Sequence, residues 1–303
     1  MHTTPHAKPH AEPNAATSST SFSSTLTSAA RNALQWRLLL LWAVLLLLPT
    51  LAATLPIWQM LGDSLDQSPQ AAALANALDL NAVADLMQVF KRYNTAAGNG
   101  ALVALVLTLL LSPLLSGMTI SAARAPQRLG LGGLLGGVML EYGRLLRMLV
   151  WAVIPLGLAV LLGTFAAGPL RSLGNNAVLE ATAQNANLAG NIVVGLFLLL
   201  AHATVDAGRA VLAADRRKTS AVRAWSEGVM LIAQRPLAML GSYLAITLSG
   251  LVLAAVVALV RIRVAPVTGG SLFAALALTQ LAVMAVAWMR SARLFALIAI
   301  VRR

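Results

Sequence analysis

Three ionisable side chains at the end of an apolar stretch are the first candidates for chemistry. The segment "HATVDAGRAVLAADRR" (202–217) follows the apolar run "AGNIVVGLFLLLA" and contains His202, Asp206 and Arg209. Their spacing of i, i+4 and i+7 puts them on one face of a helix. Ionisable groups inside a membrane span are costly and often functional. In a functional role, His202 would accept a proton or contact a ligand, and Asp206 would tune it.

A structural role explains the same three residues, and the sequence favours it. Asp206 would then pair with Arg209 or with an arginine from the 124–147 loop, and His202 would make one hydrogen bond to another helix. Few other polar groups interrupt the apolar runs, so a continuous polar path is the weaker interpretation. The segment is thus predicted to be a helix that leaves the membrane, with Arg216, Arg217 and Lys218 facing anionic headgroups.

Two further polar residues join the set of candidates. Glu141 can pair with Arg144 at i, i+3 on a helix, which is typical of an anchor at the membrane interface. Gln280 lies in the middle of the last apolar run, where an amide more often joins helices than binds substrate. The predicted polar face of possible functional importance therefore consists of His202, Asp206, Arg209, Glu141 and Gln280.

The motifs of catalysis and metal binding are absent from the sequence. There is no G-x-S-x-G, H-E-x-x-H or Walker A pattern, and the chain has no cysteine. Zinc requires at least three protein ligands, so Glu141 would have to join His202 and Asp206. The sequence therefore predicts no catalytic residue, no metal site and no cofactor.

Composition identifies the class of protein. Hydrophobic residues make up 58% of the 303 residues, charged residues 11%, and the mean hydropathy is +0.78. Soluble domains have about 45–50% apolar and about 25% charged residues. Six apolar runs reach the roughly 20 residues that cross a bilayer. We therefore predict an all-α polytopic membrane domain over 35–303, with spans at about 38–58, 101–123, 148–168, 188–208, 237–260 and 272–298.

The basic residues predict the orientation of these spans. With the N-terminus inside, 17 of the 22 lysines and arginines fall on the inner side and 5 on the outer side. The positive-inside rule then places both termini in the cytoplasm. The net charge of +12 is accounted for by this topology, so a nucleic-acid partner is not expected. An excess of arginine over lysine, with many alanines and leucines, is typical of a GC-rich bacterium, which indicates the bacterial inner membrane.

Four segments outside the spans carry their own predictions. Residues 1–34 begin with a stretch rich in serine, threonine, proline and histidine, and we predict a disordered tail there. Two short helices within 69–92 are predicted to lie over the outer ends of the spans. The glycine-rich run "LGLGGLLGGVML" (129–140) is too short to cross, which predicts an interfacial or re-entrant segment, or a connection loosened by its glycines.

The fourth segment, 216–234, is predicted to form an amphipathic helix on the inner membrane surface. Its apolar face consists of Val222, Trp225, Val229 and Ile232. A basic polar side lies opposite, which suits the headgroup layer.

Two blocks of sequence resemble a group of uncharacterised bacterial six-span membrane proteins. One combines "GDSLDQSPQAAAL" (62–74) with "LDLNAVADLM" (78–87); the other combines "DAGRAVLAADRRKTSAVRAWSEGV" (206–229) with "RPLAMLGSYL" (235–244). More remotely, an amphipathic helix before a span that opens with proline is similar to the membrane domain found with glycerophosphodiester phosphodiesterases. The catalytic domain of those enzymes has no counterpart here, so the resemblance implies architecture only.

Two classes of function remain open from the sequence. The favoured class is a non-enzymatic accessory, scaffold or transport-related membrane protein, whose partners are the lipid bilayer, anionic headgroups on the inner face and another membrane protein. The alternative is an intramembrane enzyme or lipid-handling protein that uses the His202/Asp206 face of the fourth span. Few polar groups converge in the sequence, which favours the first class.

Overall fold

A computed structural model describes residues 15–65, 94–264 and 269–302, and this part of the chain contains eight α-helices and no strand. The helices are α1 Ala15–Ala33, α2 Trp36–Leu65, α3 Asn94–Arg124, α4 Leu131–Asn175, α5 Glu180–Ala214, α6 Ala221–Gln234, α7 Pro236–Arg263 and α8 Gly269–Val301.

Six of these helices, α2, α3, α4, α5, α7 and α8, are long and apolar enough to cross a membrane. Their outward faces carry large apolar side chains that are exposed, among them Val153, Leu161 and Phe165, the last with 86% of its surface accessible. An exposed apolar surface of this extent suits contact with lipid. The predicted all-α architecture with six spans is confirmed, and these features are those of a multi-pass membrane protein.

Helix α8 contacts many of the other described helices. It packs closely on α7 and α1 and also contacts α2, α3 and α5. The approach to α7 is close because Gly250 has no side chain: a Cβ there would lie 2.4 Å from Cβ of Met289. On the other side of the bundle, α4 packs along α5 and α3 packs on α4. Helices α3, α4, α5 and α8 thereby surround the interior that contains the site.

The glycine-rich segment 129–140 differs from its prediction. Most of it forms the first turns of α4, which continues without a break for 45 residues, about 68 Å at the usual helical rise. Leu134 and Val138 are buried, and Gly137 packs directly against Ser121 of α3. The prediction of a re-entrant segment or a loosened connection was wrong, because these contacts with α3 stabilise a helix in spite of the glycines.

The N-terminal segment also differs from its prediction where it is described. Helix α1 lies within the stretch 1–34 that was predicted to be disordered. Ala29 and Ala33 are buried, and the indole nitrogen of Trp288 on α8 donates to the carbonyl of Ala30 at 3.0 Å. Contact with α8 supplies the buried face that the composition alone does not reveal. Residues 1–14 and the predicted helices within 69–92 lie outside the described residues.

The predicted amphipathic helix is α6, and Ser220 caps its N-terminus by accepting from the amide of Arg223 at 3.4 Å. Its face against the protein consists of the small residues Ala221, Ala224 and Gly228, whereas Val222, predicted on the apolar face, is exposed. The helix therefore packs on the protein through a small-residue face that is adjacent to the predicted one.

Close packing explains why small residues form that face. A Cβ at Gly228 would lie 2.7 Å from the backbone nitrogen of Gly208 on α5. Trp225 remains partly buried beside this contact, and its indole nitrogen donates to Oγ1 of Thr204 at 3.1 Å. Helix α6 is thus joined to α5 by direct backbone contact and by a hydrogen bond.

Candidate functional site

Asp206 on α5 is the centre of a buried ion cluster. Its Oδ1 accepts from Nη1 of Arg209 at 2.9 Å, and its Oδ2 forms an ion pair with Nη2 of Arg293 on α8, also at 2.9 Å. Nδ1 of His202 lies 3.5 Å from the same Oδ2. Asp206 therefore binds one arginine from its own helix and one from α8.

His202 makes one hydrogen bond to another helix, as the structural interpretation predicted. Its Nδ1 lies 3.0 Å from the hydroxyl of Tyr243 on α7. That hydroxyl accepts from Nη1 of Arg293 at 3.1 Å, and the guanidinium carbon lies 4.6 Å from the centre of the tyrosine ring. Arg293 also approaches Oγ1 of Thr247 at 3.4 Å. A tyrosine hydroxyl that accepts from arginine keeps its single hydrogen available for an acceptor such as imidazole, so α5, α7 and α8 are joined through one polar network.

This network borders a cavity of about 230 Å³ whose walls come from α2, α3, α4, α5 and α8. The charged and imidazole side chains that line it are His202, Asp206, Arg209, Arg290 and Arg293. They lie 5 to 12 residues before the C-terminal ends of α5 and α8, which corresponds to about 8–18 Å along the helix axis. The cavity therefore lies nearer to the C-terminal ends of these two helices than to their N-terminal ends.

A row of hydroxyl groups on α3 forms the opposite wall. Thr108, Ser112 and Ser116 are spaced four residues apart, Thr119 follows, and all four line the cavity. Thr108 and Thr119 donate to carbonyls one turn earlier, at 2.7 and 2.9 Å. Ser112 and Ser116 make no hydrogen bond within the described part of the chain. Sequence analysis missed this row, although the four-residue spacing of polar residues in an apolar helix was a usable signal.

The cavity has an excess of positive charge. Arg209, Arg290 and Arg293 carry three positive charges, and Asp206 is the one carboxylate among the lining residues. Arg290 makes no hydrogen bond or ion pair with any residue in the described ranges, and this exposed residue lines the cavity. In the sequence, Arg290 and Arg293 contributed only to the count of basic residues on the inner side. Hydropathy does not show which face of a helix points into the bundle.

Glu141 belongs to a separate cluster at the end of the bundle where α3 and α5 terminate. It pairs with Arg144 at 2.6 Å, as the i, i+3 spacing predicted, and also with Arg124 of α3. Two arginines of the 124–147 segment, Arg124 and Arg144, therefore bind Glu141, and no arginine of that segment pairs with Asp206. Asp206 was predicted to pair with Arg209 or with an arginine of that loop, and Arg209 is the one observed.

The arginines of this second cluster complete the C-terminus of α5. Nη2 of Arg144 donates to the carbonyls of Leu212, Asp215 and Lys218 at 2.6–2.9 Å, and Nε of Arg124 donates to the carbonyl of Ala213 at 2.7 Å. The last carbonyls of a helix have no partner within the helix. These two side chains therefore hold the exit of α5 in place, which is an anchoring role.

The predicted polar face is thus divided between places in the fold. His202, Asp206 and Arg209 line one cavity, as their spacing predicted. Glu141 lies in the second cluster, and Gln280 is half-buried on α8, ten residues and about 15 Å along the helix axis from Arg290. Neither Glu141 nor Gln280 lines the cavity.

Within the described residues, no three histidine, cysteine, aspartate or glutamate side chains are grouped so that they could hold a metal ion. Glu141, the third ligand that zinc would need, is occupied by arginines. No family model, curated protein or solved structure matches this chain.

Proposed function

We propose that this chain is a non-enzymatic, transport-related protein of the bacterial inner membrane that binds a small solute in the cavity between its spans. The observation that carries the proposal is the cavity itself. It contains three arginines, a histidine and free serine hydroxyls inside a bundle whose outer surface is apolar. Polar and ionisable groups that face the interior of a membrane bundle typically mark a substrate or ion pathway.

The state of Asp206 supports binding over intramembrane catalysis. A general acid or base needs an accessible proton site within hydrogen-bonding reach of substrate. Both oxygens of Asp206 are engaged by arginines, and Nδ1 of His202 faces Tyr243. An enzyme that used Asp206 or Nδ1 of His202 as its acid or base would have to dismantle these contacts in every turnover.

The proposed orientation has both termini in the cytoplasm, with the Glu141 cluster at the inner membrane surface. It is supported by the distribution of 17 of the 22 basic residues on that side. In this orientation α6 lies in the inner headgroup layer, and Arg216, Arg217 and Lys218 beside it face anionic lipids. The lipid bilayer is then the protein's permanent partner.

Water access to the cavity tests the proposal, and the absence of cysteine from the chain makes the test simple. Ser116→Cys and Ser112→Cys place a thiol in the cavity wall, and Ile154→Cys places one on the exposed apolar face of α4. In membrane vesicles, a charged thiol reagent should label the two cavity positions and leave the lipid-facing control unlabelled.

Vesicles of both orientations distinguish transport from binding alone. Alternating access predicts that each cavity position is labelled from either side, because the cavity opens in turn to both. Labelling from one side only would contradict a transport role. If neither cavity position reacts under conditions in which an exposed cysteine at Ser172 reacts, the cavity is closed to water and the whole proposal fails.

A further inference from the structure

We infer that the cavity binds a phosphate group, and that Arg290 with Ser112 and Ser116 are its main contacts. This inference rests on the proposed function and specifies the chemistry of the solute. The phosphate group could belong to a small soluble phosphate or to a lipid headgroup, and the chemistry of recognition is the same for both.

The cavity lining has more positive than negative charge. The lining carries three arginines against one aspartate, so two positive charges have no counterpart among the lining residues. An anion in contact with such arginines gains charge-assisted hydrogen bonds from their guanidinium groups. A phosphate monoester carries about −1.5 to −2 charges at neutral pH, which matches the excess. A carboxylate would bring only one charge.

Several polar groups of the lining have no hydrogen-bond partner among the described residues. Arg290, Ser112 and Ser116 have no hydrogen-bond partner in the described chain, and arginine is a donor only, while serine can donate. Two further buried N–H groups also lack a partner there, Nε1 of Trp42 and Nε of Arg293, and both side chains line the cavity.

These free groups are all able to donate, and the one carboxylate among the lining residues is already occupied by Arg209 and Arg293. A ligand rich in acceptor oxygens therefore satisfies the lining, and a cation does not. Guanidinium groups bind phosphate oxygens through parallel N–H donors with well-matched geometry.

The hydroxyls of Ser112 and Ser116 differ from the threonine hydroxyls in the spans. Thr108, Thr119 and Thr247 all donate to a carbonyl of their own helix, at 2.6–2.9 Å, which is how a hydroxyl in hydrocarbon is ordinarily satisfied. Ser112 and Ser116 lack this bond although both are only half-exposed. Their hydrogens are therefore available to a ligand in the cavity.

Size limits the ligand. A cavity of about 230 Å³ is smaller than the roughly 300–1,000 Å³ of pockets that hold drug-sized molecules. A phosphate group with a few atoms attached fits within it. The acyl chains of a lipid would have to remain outside, between the helices and the bilayer.

Equilibrium dialysis of the full-length protein in detergent, with radiolabelled inorganic phosphate at constant ionic strength, tests the inference. Arg290→Gln should raise the dissociation constant at least about tenfold, since hydrogen bonds to charged groups contribute that much. The double variant Ser112→Ala/Ser116→Ala should weaken binding severalfold. Two matched controls should bind as the parent does: Arg263→Gln at the exposed end of α7, and Ser249→Ala, whose hydroxyl donates to the carbonyl of Ile246.

Competition identifies the source of the phosphate group. Displacement by methyl phosphate would support a soluble ligand, and displacement only by dioctanoyl phosphatidic acid would support a lipid headgroup. Equal displacement by acetate would overturn the inference, as would unchanged phosphate binding in Arg290→Gln. If phosphate fails to bind while a cysteine at Ser116 is still labelled, this inference falls and the proposed function stands; failure of that labelling removes the proposed function itself.

Discussion

Replacement of Asp206 tests directly whether the buried ion cluster holds the bundle together. Asp206→Asn keeps the shape of the side chain and removes its charge, so Arg209 and Arg293 both lose the carboxylate that each contacts at 2.9 Å. Removal of one partner from a buried ion pair costs about 3–5 kcal/mol, because the other charge is left uncompensated. We expect the free energy of unfolding to fall by about that amount.

His202→Ala is the matched comparison on the same helix face. His202 contributes one hydrogen bond to Tyr243, and hydrogen bonds between helices in membranes average about 0.6 kcal/mol. Thermal unfolding of the two purified variants in the same detergent should therefore show a much larger loss for Asp206→Asn.

A double variant separates loss of charge from loss of shape. Asp206→Asn combined with Arg293→Gln removes one of the uncompensated arginines, so it should be more stable than Asp206→Asn alone. If Asp206→Asn unfolds at the same temperature as His202→Ala, the ion cluster does not stabilise the contact between α5 and α8, and the reasoning is refuted.

The remaining predictions concern packing and topology. Gly228→Ala places a Cβ 2.7 Å from the backbone of Gly208, and we expect the free energy of unfolding to fall by about 1–3 kcal/mol. Thermal unfolding checks this against the exposed control Ser226→Ala, which should be neutral. A neutral Gly228→Ala would mean that α6 does not pack closely on α5. A cysteine at Ser172 should react with an impermeant thiol reagent in intact cells, and a cysteine at Ser220 should react only after the membrane is opened; the reverse pattern would invert the proposed orientation.

Hydropathy and helical spacing predicted the parts of the fold that depend on one helix at a time. Six spans follow from the length of the apolar runs, and the common face of His202, Asp206 and Arg209 follows from 3.6 residues per turn. Neither property states which face of another helix lies opposite. Arg293 is for that reason the partner that sequence reasoning missed, since its contact with Asp206 crosses from α8 to α5.

Local composition failed where tertiary contacts supply the stability. The segment 129–140 has five glycines and is followed by a charged residue, Glu141, and this suggested a break before the third span. In the structure Glu141 is neutralised by Arg124 of the preceding helix, and Gly137 provides room for Ser121. A helix can continue through a charged residue that is paired with another helix. The sequence of the segment 129–140 alone does not reveal such a pairing.

The contact between Gly208 and Gly228 has a mechanical consequence. Where two backbones touch without intervening side chains, there is nothing soft between them to absorb a displacement, so α5 and α6 shift as one body at that point. Gly208 directly precedes Arg209, which lines the cavity, and Trp225 donates a hydrogen bond to Thr204 on the same part of α5. A displacement of α6 towards α5 is therefore transmitted to the cavity wall at Asp206, two residues from Gly208.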